Sequence, residues 1–142
     1  MRTMKFVLAS VSLLFLYDAA YACRCVPRQP SSDISQYAAV FSGKVVEVGF
    51  KQPPSGAWKY TITFEVGRVW KGETKKRITL IARLTSCDFG FREGESYLVF
   101  ASTLSGGSGL TTTQCSRTGL ISEREKDLVL LGEGKVPAEG KT

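Results

Sequence analysis

Two cysteines separated by one residue, Cys23 and Cys25, constrain this chain more than any other feature, because they follow directly on a segment built like a leader. Arg2 and Lys5 form a short basic start, residues 6–17 are an apolar run of 12, and Ala20-Tyr21-Ala22 is a small-x-small cleavage site. That pattern predicts a secretory signal peptide over residues 1–22. The apolar run falls short of the about 20 residues that a membrane-spanning helix needs. No second segment resembles a span, so no membrane span is expected. Cleavage after Ala22 makes Cys23 the first residue of the exported chain.

The other two cysteines, Cys87 and Cys115, lie far along the sequence. An even count in an exported chain reads as two disulfides. A bond between Cys23 and Cys25 is disfavoured, because one intervening residue forces a strained ring. Either remaining pairing ties the terminus to two distant points. Each crosslink would close a loop long enough to contribute roughly 4–5 kcal/mol in the chain-entropy description, and overlapping loops do not add. Chain starts are ordinarily frayed. Two crosslinks within three residues clamp this one, either for stability alone or because the terminus is a functional group held in place.

Composition removes several kinds of chemistry. The chain has no histidine, which excludes the usual Ser-His-Asp and Cys-His hydrolases and His-ligated metal centres. Hydrophobic residues at 43% and charged residues at 23% describe a globular chain rather than a disordered one. The formal charge is +6, and loss of Arg2, Lys5 and Asp18 with the leader lowers it to +5. Such a charge favours weak attraction to acidic surfaces. Export and the lack of a dense basic groove argue against a nucleic-acid partner.

Hydrophobic periodicity predicts five strands. Ser31-Ser32-Asp33 is read as the cap of a short helix over residues 35–38. Residues 40–50 are β-branched and partly alternating, and read as the first strand. A loop follows at residues 52–56. Residues 58–70 are the clearest strand, with Tyr60, Ile62, Phe64 and Val66 alternating with polar positions. Lys71-Gly72-Glu73 is a turn. Residues 77–84, 96–102 and 110–114 complete the set, with a flexible Gly/Ser turn at 105–109. Ser122 and Glu125 form a capping box that opens a helix through residues 128–131, ended by Gly132. Residues 132–142 read as a flexible tail, which leaves one domain over residues 23–131. Tyr60, Phe64, Trp70, Tyr97 and Phe100 are expected in the core, and Trp58 at a loop edge. The whole predicts a mainly β, closed or partly closed five-stranded antiparallel barrel with short flanking helices.

With these residues set out, the chain resembles the N-terminal, netrin-like domain of the tissue inhibitors of metalloproteinases. Cys23-Arg24-Cys25-Val26-Pro27 is similar to that family's C-x-C-x-P opening after the leader. Residues 39–45 (AVFSGKV) resemble its first strand, and Tyr60 to Phe64 followed by Val69-Trp70-Lys71-Gly72 its second strand and aromatic-Lys-Gly turn. Cys87 before the ESYLVFA run, and LTTTQ ending on Cys115, complete the likeness. The resemblance implies an OB-like barrel and disulfides Cys23–Cys87 and Cys25–Cys115. It also implies a secreted inhibitor rather than an enzyme, with no cofactor of its own. The α-amino and carbonyl groups of Cys23 would chelate the zinc of a partner metalloprotease and displace the water it activates. A terminal amine has a pKa near 8, so zinc has only a modest proton to drive off. Arg24 would enter the protease's specificity pocket. Cys25, Val26 and Pro27 would lie along the cleft, with Thr85 and Ser86 beside them next to Cys87.

The chain departs from that family at Arg24, where the animal members carry a small Thr or Ser. A long cation in an apolar pocket must snorkel out or lose its hydration, which points to a target with an acidic or open pocket. The third disulfide of those N-terminal domains, and their C-terminal domain, have no counterpart here. A second reading is a netrin-like binding module that recognises a protein or an acidic polysaccharide through Lys71, Lys75, Lys76 and Arg77. The bland alternative for those cations is a solvated turn that keeps a strand edge unpaired. Lipidation of Cys23 matches its usual box poorly, with Ala20 in place of Leu. A Cys23-Arg24-Cys25 redox dithiol fits badly beside the usual C-x-x-C. Glu93 and Glu95 read as exposed turn residues rather than an acid–base pair.

Overall fold

The computed structural model describes residues 23–26, 33–52 and 59–138. Residues 1–22, the expected leader, together with Pro27, Ser31, Ser32, Trp58, the loop before Trp58 and residues 139–142, lie outside the described residues. Six strands form: β1 (Ala39–Lys51), β2 (Lys59–Lys71), β3 (Arg77–Ala82), β4 (Ser96–Thr103), β5 (Leu110–Thr111) and β6 (Gly119–Leu120). A 3-10 turn (Ile121–Glu123) leads into the helix α1 (Glu125–Leu131). Among the described residues no helix is long and apolar enough to cross a membrane.

The first five strands close on themselves. Their order is β1-β2-β3-β5-β4, and β4 returns to pair with β1, from Ala39↔Ala101 to Lys44↔Ser96. A strand can serve two neighbours on a curved surface only if it bends. β1 does so at register shifts between Val40 and Phe41, Ser42 and Gly43, and Val45 and Glu47. Gly43 sits where β1 lies close against β2: a Cβ there would lie 2.9 Å from the Glu65 carbonyl oxygen.

Alternation then sorts the side chains. Phe41, Val45, Phe64, Leu80, Tyr97 and Val99 fill the inside of the ring. Val40, Leu98 and Phe100 point the other way, and are fully buried as well. They pack outside the ring against Tyr37, Ile34, Trp70, Leu128 and Leu131. The helix supplies the last two of these, which is why 97–101 is an unbroken apolar run rather than an alternating one. Phe100 is in the core as expected, but it and the partly buried Trp70 belong to this outer layer rather than to the interior of the ring, and Tyr60 packs half-buried against the inner cluster.

Several expectations need correction. One of the five ring pairings is parallel rather than antiparallel: β3 runs alongside β5 at Leu80↔Leu110. Asp33 does not open a helix. Its carboxylate accepts from the amide and hydroxyl of Ser35, which makes a turn. Those two hydrogen bonds, the hydroxyl's first, hold the Asp33 carboxyl below its usual value. The Ser122 capping box does not form either, because Ser122 lies in the 3-10 turn and Arg124 occupies the cap with no side-chain bond. A charge cluster positions α1 instead: the buried Asp127 carboxylate accepts from Arg117 at 2.5 Å, and Arg124 donates to the Arg117 carbonyl at 3.0 Å. Gly132 does end the helix, at φ 69°.

The segment after Gly132 is not frayed as far as Lys135. Trp70 Nε1 donates to the Gly132 carbonyl at 2.9 Å, and Val69 and Lys135 exchange backbone bonds at 2.8 and 2.7 Å. Gly72 closes the β2 end at φ 94°, and a Cβ there would stand 3.0 Å from Cβ of Ala39. Replacing Gly72 by Ala is expected to cost about 1–2 kcal/mol from the left-handed backbone alone. A lowered urea midpoint with an unchanged slope is the result that checks it.

Candidate functional site

The cysteine cluster is built by the parallel pairing. Because β3 and β5 run the same way, their C-terminal ends lie at the same end of the ring, and Cys87 and Cys115 follow those ends by a few residues. An antiparallel pair would have sent them to opposite ends. β3 stops early, at Ala82, and Leu84 takes a left-handed conformation at φ 62°, which turns the chain into the Cys87 loop.

Hydrogen bonds join the two cysteine loops without help from sulfur. Asp88 pairs with Thr113. The Gln114 amide donates to the Cys87 carbonyl at 2.8 Å, and the Gln114 side chain donates to the carbonyls of Ser86 and Asp88 at 3.1 and 3.2 Å. Within the first loop, the Asp88 carboxylate accepts from the Thr85 amide at 2.6 Å.

The second loop is anchored from below by buried hydroxyls. Thr118 Oγ1 accepts from the Phe100 amide at 2.9 Å, and Thr112 Oγ1 donates to the Phe100 carbonyl at 2.8 Å. The two hydroxyls lie 3.1 Å apart, and Ser116 Oγ is 2.6 Å from that of Thr112. β6 stops pairing with β4 at Leu98↔Gly119, so the Thr118 hydroxyl takes over the ladder at Phe100. Thr118→Val keeps the shape but leaves a buried amide unpaired. It is expected to lower stability by about 1–3 kcal/mol, read from denaturant unfolding.

The segment from Cys23 to Val26 sits on this platform. Cys23 is bonded to Cys87 and Cys25 to Cys115, the pairing that the resemblance implies, each with Cα atoms 5.2 Å apart. Cys23 is half-buried, whereas Arg24, Cys25 and Val26 are exposed, Val26 at 82%. Thr85 and Ser86 stand exposed on the neighbouring loop. Six of the seven residues expected to face a partner, Cys23, Arg24, Cys25, Val26, Thr85 and Ser86, thus gather at one end of the ring. Pro27 lies outside the described residues. A depression of about 470 Å³ opens beside Arg24 and Val26, walled by Gln36, Tyr37, Ser102 and Thr113. Another, of about 440 Å³, lies beyond Thr85, between Val48, Tyr60, Phe89 and Phe91.

The competing sites are used differently. Lys71 donates to the carbonyls of Ile34 and Ser35 at 3.0 and 2.8 Å, so it staples the segment before β1. Lys75 pairs with Glu73 on the exposed β2–β3 turn. Glu93 accepts from the Val48 amide at 2.7 Å, where β1 leaves β4, which gives that carboxylate a local structural partner. Sequence reasoning missed Gln114, Thr112 and Thr118. Polar side chains inside a Thr-rich stretch carry no signal until the loops they join are known.

Searches with protein-family models and against curated proteins return no match for this chain.

Proposed function

We propose that the chain is a secreted inhibitor of zinc metalloproteases that acts through the α-amino and carbonyl groups of Cys23. It is not an enzyme and needs no cofactor of its own. The observation that carries this reading is the clamp. The two cysteines flanking Arg24 are bonded to two separate loops, and those loops are hydrogen-bonded to each other. Five strands closing on themselves also support the OB-like assignment.

The mechanism follows from the chelate. After cleavage at Ala22 the amine and carbonyl oxygen of Cys23 belong to one residue, so a metal bound to both sits in a five-membered ring. A catalytic zinc keeps one position open for water, and the chelate occupies it. A flexible terminus would lose its freedom on binding, whereas a clamped one has already lost it on folding. Arg24 leaves from the next Cα, so its guanidinium enters whatever pocket adjoins the zinc. Desolvating that charge is unfavourable unless a carboxylate meets it, which directs the inhibitor to proteases with an acidic or open pocket. Exposed Val26, Thr85 and Ser86 extend the contact along the cleft.

The test is a titration of the oxidised chain beginning at Cys23 against zinc metalloproteases whose pockets differ in charge. Inhibition is expected of members with acidic pockets, in competition with a small hydroxamate that binds the same zinc. No inhibition anywhere on the panel, or inhibition indifferent to the hydroxamate, rejects the mechanism. The netrin-like module that binds an acidic polysaccharide would then be the better reading. It has the weaker support, because Lys71 and Lys75 already hold partners within the chain.

A further inference from the structure

The four sulfurs do more than form two separate crosslinks. Cys23 Sγ and Cys115 Sγ belong to different disulfides, yet lie 3.6 Å apart. The sulfurs of Cys23, Cys25 and Cys115 all lie within 4.8 Å of one another, and Cys87 joins them through its bond to Cys23. A tetrahedral zinc with Zn–S bonds of about 2.3 Å places its sulfurs about 3.8 Å from each other. The unbonded Cys23–Cys115 pair is already at nearly that spacing, and once reduction breaks the two S–S bonds the bonded sulfurs need only move apart to surround one zinc.

We propose that the reduced chain holds one zinc ion in a site made by Cys23, Cys25, Cys87 and Cys115, and that oxidation to the two disulfides expels it. The backbone supports both states. Gln114 and the Asp88–Thr113 pairing hold the Cys87 and Cys115 loops together through hydrogen bonds that reduction does not break. Cys23 and Cys25 arrive as one segment. The donor set is all thiolate, which selects zinc over magnesium or calcium. Four thiolates on Zn²⁺ carry a net charge of −2, and Arg24, between two of the ligands in the chain, brings a positive charge to the same segment.

The exchange balances. Two equivalents of a dithiol reductant supply four electrons and four protons, giving four thiols and two oxidised reductant molecules. Zinc then binds four thiolates and releases four protons. In the reverse direction two equivalents of a disulfide oxidant take back four electrons, the protein sulfurs pair again, and Zn²⁺ leaves. The site uses sulfur and not the amine of Cys23, so it stands apart from the inhibitory reading.

The full chain, reduced without oxygen by a phosphine, is titrated with Co²⁺ and then Zn²⁺. Thiolate-to-cobalt charge-transfer bands with tetrahedral d–d bands should saturate at one Co²⁺ per chain and vanish with one Zn²⁺. The zinc form should be a monomer by native mass, with four thiols that resist alkylation until a chelator is added. The oxidised chain should bind no cobalt. Metal-dependent gain of β-sheet signal from a reduced, unfolded chain supports the site equally. Cys25→Ser should weaken zinc binding at least tenfold, while an alanine placed before Cys23 should leave it unchanged. Octahedral spectra, saturation at another ratio, a metal-bridged dimer or an unaffected Cys25→Ser variant overturns the proposal.

Discussion

One alanine placed before Cys23 is expected to raise the inhibition constant against a susceptible zinc metalloprotease by about a hundredfold or more, which is about 3 kcal/mol. The added residue turns the amine of Cys23 into an amide, which is no zinc ligand at neutral pH, and moves the free amine about 3.8 Å away along the chain. The five-membered chelate is lost, and the new terminus lies outside the clamp, so it must be ordered on binding. Among the described residues, the disulfides, the Gln114 bridge and the core are made by side chains and backbone groups other than that amine. Thermal midpoints of the two forms should therefore agree, which separates lost chemistry from lost structure. Equal inhibition by both forms would sink chelation through the terminus while leaving the fold untouched.

Removing one crosslink, with Cys25→Ser and Cys115→Ser together, should cost about 2–5 kcal/mol of folding stability. The double variant is needed because a lone Cys115 thiol would sit beside the Cys23 sulfur, 3.6 Å away, and invite exchange. Arg24 and Val26 then hang from Cys87 alone. Their ordering would be completed only on binding, at about 0.5–1.5 kcal/mol for each immobilised side chain. Inhibition should weaken about tenfold in consequence, far less than for the alanine extension. The measurements are guanidinium unfolding and an inhibition assay on the same sample. A stability loss under about 1 kcal/mol would mean that the hydrogen bonds between the loops hold the tip, and the crosslink does not.

Local features were legible in the sequence, and the reason is periodicity. Alternation located four of the strands to within a few residues, from Tyr60, Ile62, Phe64 and Val66 on β2 to the run on β4. It failed at residues 110–114, where the strand ends at Thr111 and Thr113 makes only an isolated bridge to Asp88, because Thr112 turns its hydroxyl into the core instead of alternating. Capping signals were less informative. A Ser three residues before a Glu describes a helix start only if no stronger local geometry competes, and here Asp127, Arg117 and Arg124 set the helix.

The candidate site divides along the same line. Sequence alone determined that Cys23 and Cys25, which flank Arg24, would be bonded to two distant points of the chain, because spacing and covalent geometry disfavour a bond between neighbours so close. Which strand ends meet is a matter of direction, and apolar patterning reads the same for a parallel as for an antiparallel neighbour. Only the tertiary structure decided that β3 and β5 run parallel. That one pairing carries Cys87 and Cys115 to the same end of the ring, sets Gln114 across their loops, and brings four sulfurs from three distant stretches of chain into a single cluster.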